Sequence, residues 1–134
     1  MAKKKSSIWL NRGLFVGGYV ALVTSQAEFD KALADIKMSE YTDAYVPNGW
    51  PACTHSFANV DGSIACIVGL NVEHAAEQDP IDVAALLVHE AVHVWQQNES
   101  AAGKLGCFGT EGEAYAIQNI STSLMAEYAR RING

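Results

Sequence analysis

Two histidines and a glutamate stand close together in the segment VHEAVHVWQQ, residues 88–97. His89 and His93 are four residues apart, so on a helix they share one face and can reach the same ion. Glu90 lies about 100° around the helix from His89, so its carboxylate is expected next to the ion and not as a ligand of it. Zinc accepts imidazole nitrogens, and a neighbouring carboxylate can take a proton from zinc-activated water. The spacing therefore predicts a hydrolytic zinc site with two ligands and one general base.

The residues around this motif are strongly apolar. A helix that is apolar on nearly every side is a buried helix, and polar groups on it are costly unless something satisfies them. The alternative to a metal site is a pair of histidines bonded to core carbonyls, with Glu90 at a cleft. The apolar positions that predict burial are Val83, Leu86, Leu87, Val88, Val92, Val94 and Trp95.

A third ligand is expected downstream, because a catalytic zinc usually has three protein ligands and one open position. Glu111 and Glu113 are two residues apart, about 200° around a helix, so at most one of them can face the ion. Thr110-x-x-Glu113 reads as a capping box, in which the Glu113 carboxylate folds back onto the cap. We therefore predict Glu111 as the third ligand and keep Glu113 as the alternative.

Caps, turns and periodicity locate the elements that must position these residues. Ser25-x-x-Glu28 reads as a capping box, Asp61-Gly62 as a hairpin turn, and Asp79-Pro80 as the start of the histidine helix. The predicted order is helix, hairpin, helix, helix, which is an α+β domain. The predicted bounds are helix 26–37, loop 41–54, strands 55–60 and 63–70, helix 80–100 and helix 111–132.

Length and charge limit the class of protein. A chain of 134 residues is expected to form one domain over residues 1–134, with residues 1–8 as a frayed N-terminus. The formal net charge of −6 argues against nucleic acid and anionic membranes as partners, because both bind basic surfaces. The apolar run at residues 14–23 is shorter than the ~20 residues that span a bilayer, and no clean signal-peptide cleavage site follows it.

The three cysteines, Cys53, Cys66 and Cys107, are too few and too irregularly spaced for a disulfide framework. We expect reduced thiols. A Cys53–Cys66 bridge is the alternative if the strands that carry these two residues pair.

HEAVH, followed by EGEAY eighteen residues after His93, resembles the gluzincin metallopeptidases, in particular their minimal single-domain forms. In that family a glutamate on the following helix completes the zinc site, commonly as E-x-x-A followed by a polar residue. This pattern selects Glu111 with Ala114, and it places Tyr115 where an aspartate often sits. HVWQQ and EAYAIQ also look like small metallopeptidase-like domains of bacteria and phages. The resemblance covers about residues 64–125.

The resemblance implies a minimal zincin-like α+β domain, with a small antiparallel or mixed sheet, an active-site helix and a following ligand-bearing helix. It also implies a zinc peptidase that uses Zn²⁺ and hydrolyses a peptide or protein. In zincins the strand before the metal helix is a sheet edge that binds extended substrate through main-chain hydrogen bonds. Here that strand is 64–70, with Ile67, Val68, Gly69 and Asn71 as substrate-binding residues. A core strand without a substrate role is the alternative.

The donor to the developing oxyanion is expected to be Tyr115, with Tyr128 and His74 as further candidates. So small a domain leaves a shallow cleft, unless a protein partner or larger assembly completes it. We expect the protein in the cytoplasm, in a phage particle, or secreted without a recognisable signal peptide. Two alternative functions remain at this point: a zinc-binding structural or interaction module of a phage particle or secretion apparatus, and an amide hydrolase acting on cell-wall peptides.

Overall fold

The computed structural model describes residues 8–10, 18–59, 63–104 and 110–133, and only the backbone of residues 100–104 and 110. Strands and helices are combined in this part of the chain, which confirms the predicted α+β class. The elements are β1 Trp9–Leu10, β2 Gly18–Val23, α1 Gln26–Asp35, β3 Ala52–Ala58, β4 Ile64–Leu70, α2 Val72–Ala76, α3 Pro80–Lys104 and α4 Thr110–Asn133.

The four strands form one mixed sheet in the order β1-β2-β4-β3. β4 pairs in parallel with β2 and antiparallel with β3, so it is an interior strand and β3 is an edge. The prediction that residues 64–70 form the sheet edge is therefore wrong. No strand was predicted within the apolar run at residues 14–23, which contains β2. β2 pairs with the side of β4 that was expected to be open.

The predicted hairpin is confirmed by the antiparallel pairing of β3 with β4. β3 begins at Ala52, three residues before the predicted strand, so the end of the predicted loop belongs to the sheet. The Asp61-Gly62 turn itself lies outside the described residues. In the remaining loop, Trp50 is 56% exposed.

α1 begins as predicted and ends two residues early. The Ser25 side chain caps it by accepting a hydrogen bond from the Glu28 amide at 3.2 Å. Lys37 has φ +60°, and the Met38 amide donates to the Leu33 carbonyl at 2.8 Å. This is a Schellman closure with a non-glycine residue in the left-handed position. The helix therefore ends where the closure reverses the chain.

α3 begins at Pro80 as predicted, and the Asp79 carboxylate accepts a hydrogen bond from the Ile81 amide at 2.8 Å. The helix is not buried on nearly every side. Ile81 is 78% exposed, and both histidines lie on an exposed face. The prediction of a fully buried helix is wrong, because only one face of α3 packs against the sheet and α4. The buried positions on that face are Val83, Leu87, Glu90, Ala91, Val94, Trp95 and Asn98.

The sheet separates two apolar cores, because successive strand residues point to opposite faces. One face packs against α3 and α4 through Leu22, Val68 and Leu70. The other face packs against α1 and includes Ile67. Ile8 is buried in that second core, so the expected frayed segment does not extend to this residue. The rest of that segment lies outside the described residues.

Cys53 and Cys66 are free thiols, as predicted. Their strands pair, but Cys53 faces Gly69 and Cys66 faces Ser56 across the hairpin. The alternative Cys53–Cys66 bridge is therefore wrong. Cys107 lies outside the described residues.

Across the described residues, no helix is both long enough and apolar enough to cross a membrane.

Candidate metal centre and groove

α3 brings the two motif histidines together on its exposed face. The Nε2 atoms of His89 and His93 are 3.2 Å apart, and their ring centroids are 4.8 Å apart with the planes at 79°. The Nδ1 atom of His93 lies 3.3 Å from Gln96 Oε1, which can accept a hydrogen bond from an N–H at that nitrogen. Both Nε2 atoms therefore face one point above the helix.

The distance between these nitrogens fits a zinc ion. Two nitrogens at about 2.0–2.1 Å from one tetrahedral zinc are separated by roughly 3.3–3.4 Å. The observed 3.2 Å is close to that separation. It also fits a direct imidazole–imidazole hydrogen bond. Both histidine side chains are exposed, so water can satisfy their ring nitrogens and an ion is not required for that purpose.

Glu90 is the buried member of the group, with 4% of its surface exposed. Its Oε1 atom accepts a hydrogen bond from the Thr54 hydroxyl at 2.7 Å, and its Oε2 atom lies 3.9 Å from His89 Nε2. Ligand atoms of His89, Glu90 and His93 all lie within 4.8 Å of one another. The structure thus brings together the two predicted ligands and the predicted base.

An open groove of about 500 Å³ passes over these side chains. One wall is the edge strand β3 with the loop before it, and the other is α3. Trp50 and Leu86 contribute large apolar surfaces, whereas Ser56 and Gln97 contribute polar groups. The full lining is Trp50, Pro51, Ala52, Cys53, Thr54, Ser56, Leu86, His89, Glu90, His93 and Gln97.

Glu111, Glu113 and Tyr115 lie in the first turns of α4, and all three are exposed. Within the described part of the chain, none of them belongs to the three-residue group or lines the groove. The Glu113 carboxylate accepts a hydrogen bond from the indole of Trp95 at 2.8 Å. The Thr110 side chain of the predicted capping box lies outside the described residues. The role of Glu111 as third ligand stays a prediction.

None of the four predicted substrate-binding residues lines the groove. Ile67, Val68 and Gly69 are buried in β4, and their main chains face strands on both sides. A Cβ atom at Gly69 would overlap the Tyr45 carbonyl oxygen, so this glycine permits the close approach of the preceding loop. Asn71 caps α2 by accepting a hydrogen bond from the His74 amide at 3.1 Å. Each of these residues therefore has a packing or capping role in the fold.

The other described histidines and the remaining oxyanion candidate are also outside the groove lining. His55 is buried, with Nε2 2.8 Å from the Tyr45 carbonyl and Nδ1 3.3 Å from the Tyr41 hydroxyl. His74 is exposed on α2, and Tyr128 is partly buried against the core below α3. Both ring nitrogens of His55 have partners inside the fold.

Sequence reasoning missed Thr54, Ser56 and Gln97 as groove residues. Thr54 and Ser56 alternate along β3, so their side chains point to the same face of the sheet. Gln97 lies four residues after His93, which places it on the histidine face of α3. The sequence shows the two-residue spacing on β3 and the four-residue spacing on α3. It does not show that β3 lies next to this face of α3.

Cys53 is half-buried in the groove lining. Burial raises the pKa of its thiol, and the nearby carboxylates of Glu90 and Asp43 raise it further. The thiol therefore stays protonated at neutral pH. A protonated thiol is a poor metal ligand and a poor nucleophile.

Comparisons with protein-family models, with curated proteins and with solved structures found no match to this chain.

Proposed function

We propose that this chain is a zinc-dependent peptidase of the minimal gluzincin type, with His89 and His93 as zinc ligands and Glu90 as general base. The observation that carries the proposal is the geometry of three side chains. The two Nε2 atoms are 3.2 Å apart, and a buried carboxylate lies 3.9 Å from one of them. An open groove next to this group supports the proposal, because a peptide needs access from solvent.

Zinc held by the two histidines would polarise a peptide carbonyl and acidify a water molecule. Glu90 then accepts a proton from the attacking water and delivers it to the leaving amine. Burial suits Glu90 to this role, because a dry carboxylate interacts more strongly with a developing charge than a hydrated one. The two histidines and Glu90 therefore have separate roles, although they are adjacent on one helix.

The substrate-binding edge is β3 in this proposal, in place of β4. Among the described strands, β3 pairs with β4 alone, and it lines the groove above the histidines. An extended peptide can add to such an edge through main-chain hydrogen bonds. Trp50 and Leu86 would contact apolar side chains of that peptide, since both line the groove.

Glu111 is the proposed third zinc ligand. It lies outside the three-residue group, so its side chain or the first turn of α4 must approach the histidines when zinc binds. Glu113 is the alternative third ligand. The indole of Trp95 donates a hydrogen bond to its carboxylate, and metal-binding carboxylates are commonly oriented by such a second hydrogen bond. Zinc analysis of Glu111→Gln and Glu113→Gln separates them. Loss of zinc from the first variant is expected, and loss from the second alone would overturn the assignment.

The function is tested by incubating the zinc-loaded protein with a peptide library and with peptidoglycan fragments. We expect peptide cleavage that a chelator abolishes and that falls roughly 10²–10⁴-fold in Glu90→Gln, with zinc content unchanged. Cleavage of peptidoglycan fragments alone would identify a cell-wall amide hydrolase. Absence of all cleavage, together with unfolding on chelation, would identify zinc as a structural element and overturn the peptidase proposal.

A further inference from the structure

Glu90 receives its hydrogen bond from a different element of the fold. Thr54 lies on β3, and its hydroxyl donates to Glu90 Oε1 at 2.7 Å. Within the described part of the chain, this is the one hydrogen bond that the Glu90 side chain receives. A carboxylate that is only 4% exposed has little access to water, so this donor matters for where the carboxylate points.

The two oxygens of Glu90 have different surroundings as a result. Oε1 faces the Thr54 hydroxyl, and Oε2 lies 3.9 Å from His89 Nε2. The terminal torsion of a glutamate side chain is broad, so an untethered carboxylate would sample many orientations. A donor on one oxygen narrows that range and keeps the other oxygen directed at the histidines.

We propose that Thr54 is a positioning residue for the reaction, which fixes Glu90 so that Oε2 faces the attacking water. The inference depends on the proposed function, because it assigns Thr54 a role in orienting the general base. Thr54 needs no contact with the substrate side chains or the metal for this role. Catalysis is sensitive to such placement, and a misplacement of about 1 Å can lower a rate roughly 10²-fold.

The location of Thr54 explains why this contact is well placed for the task. Its main chain pairs with Val68 on one side and belongs to the open edge of the sheet on the other. A peptide added to β3 would therefore lie next to the residue that holds the base. The same strand would position the scissile bond and the carboxylate.

A purely structural role is the competing explanation, in which the hydroxyl only satisfies a buried carboxylate. Two variants separate the explanations. Thr54→Val keeps the shape of the side chain and removes the hydroxyl, whereas Thr54→Ser keeps the hydroxyl. Thr122→Val is the matched control, because the Thr122 hydroxyl bonds to a carbonyl of its own helix on the exposed face of α4.

The experiment measures kcat and KM of the zinc-loaded variants on a peptide that the wild type cleaves, and zinc affinity by competition with a chromophoric chelator. For Thr54→Val we expect kcat to fall roughly 10–100-fold, with KM and zinc affinity unchanged. Thr54→Ser should remain within about threefold of the wild type, and Thr122→Val should not differ from it. A Thr54→Val variant with wild-type kcat would overturn the positioning role.

A second measurement needs no zinc and no substrate. Urea unfolding of the metal-free protein gives the change in midpoint caused by Thr54→Val, first in the wild type and then in Glu90→Met. A larger change in the wild type shows that the hydroxyl and the carboxylate interact, and equal changes overturn the contact. Absence of cleavage by the wild type would overturn the proposed function and the positioning role together, whereas the kcat result for Thr54→Val overturns the positioning role alone.

Discussion

Two groups of carboxylates in this molecule have opposite surroundings. At the end of α4, Arg131 donates to Glu28 at 2.7 Å and to Glu127 at 2.6 Å, joining that helix to the start of α1. In the groove, Glu90 is more deeply buried and makes no ion pair with lysine or arginine among the described residues. Its neighbours are a hydroxyl and a histidine.

In the first group, hydrogen bonds and the neighbouring arginines lower the pKa values of both glutamates. Burial alone would raise the pKa of Glu28, but hydrogen bonds from Thr24 and the charge of Arg131 outweigh it and leave that pKa lowered. Burial likewise opposes a lowered pKa of Glu127, and its bonds to Arg130 and Arg131 outweigh the burial. Both glutamates are therefore held in the charged form, and they stabilise the fold.

We interpret this difference as one between a structural role for Glu28 and Glu127 and the proposed catalytic role for Glu90. A buried carboxylate without a counter-charge contributes little to folding and commonly marks a functional site. We therefore expect substitutions at the Arg131 group to change stability and leave zinc binding intact. Substitutions at the histidine group should do the reverse.

The largest effect is expected at the proposed zinc ligands. His89→Ala and His93→Ala should each lower zinc affinity by roughly 100-fold or more, because each removes one of the few ligands. Competition with a chelator measures this, and His74→Ala, on the exposed side of α2, is the control. Wild-type zinc affinity in either variant would contradict the proposal that the substituted histidine is a zinc ligand.

Arg131→Met should lower the free energy of unfolding by about 1.5–3 kcal/mol, since it removes charge-assisted hydrogen bonds from two glutamates at once. Urea unfolding measures the change. Arg130→Met is the matched control with a smaller expected effect, because Arg130 is exposed and, among the described residues, bonds to Glu127 alone. A change in zinc affinity in Arg131→Met would show that the two groups are not independent.

Glu90→Gln should leave the stability of the metal-free protein unchanged or raise it by up to about 1 kcal/mol. The amide keeps an oxygen for the Thr54 hydroxyl and removes an uncompensated charge. Glu28→Gln should instead lower stability, because the amide loses the charge that Arg131 binds. Equal destabilisation by both substitutions, in the same unfolding assay, would contradict the proposed division of roles.

The pH dependence of stability should reflect the Arg131 group. Because the pKa values of Glu28 and Glu127 are lowered, their contribution is complete above the ordinary glutamate value of about 4.3. It is lost as the pH falls through the lowered values. Unfolding in urea at pH 7, 4.5 and 3 should show this loss in the wild type and a smaller one in Arg131→Met. Parallel pH profiles would argue against the ion pairs as its source.

The sequence was sufficient where the determining contacts are local. The spacing of His89 and His93 on one helix, the Ser25 cap and the Asp79-Pro80 helix start each depend on residues within a few positions. They were predicted because helix geometry alone determines them.

The parts that failed depend on contacts between distant segments. β4 is an interior strand because it pairs in parallel with β2, and neither residue spacing nor a turn motif predicts such a pairing. The contact of Thr54 with Glu90 joins positions 36 residues apart. Likewise, the exposure of the histidine face follows from which side of α3 meets the sheet.

The most direct test of the central claim is X-ray absorption at the zinc edge of the loaded protein. The wild type should show two imidazole nitrogens at about 2.0–2.1 Å together with oxygen ligands, and His93→Ala, if it retains zinc at high concentration, should show one. A wild-type spectrum without imidazole scattering would contradict a metal centre at His89 and His93.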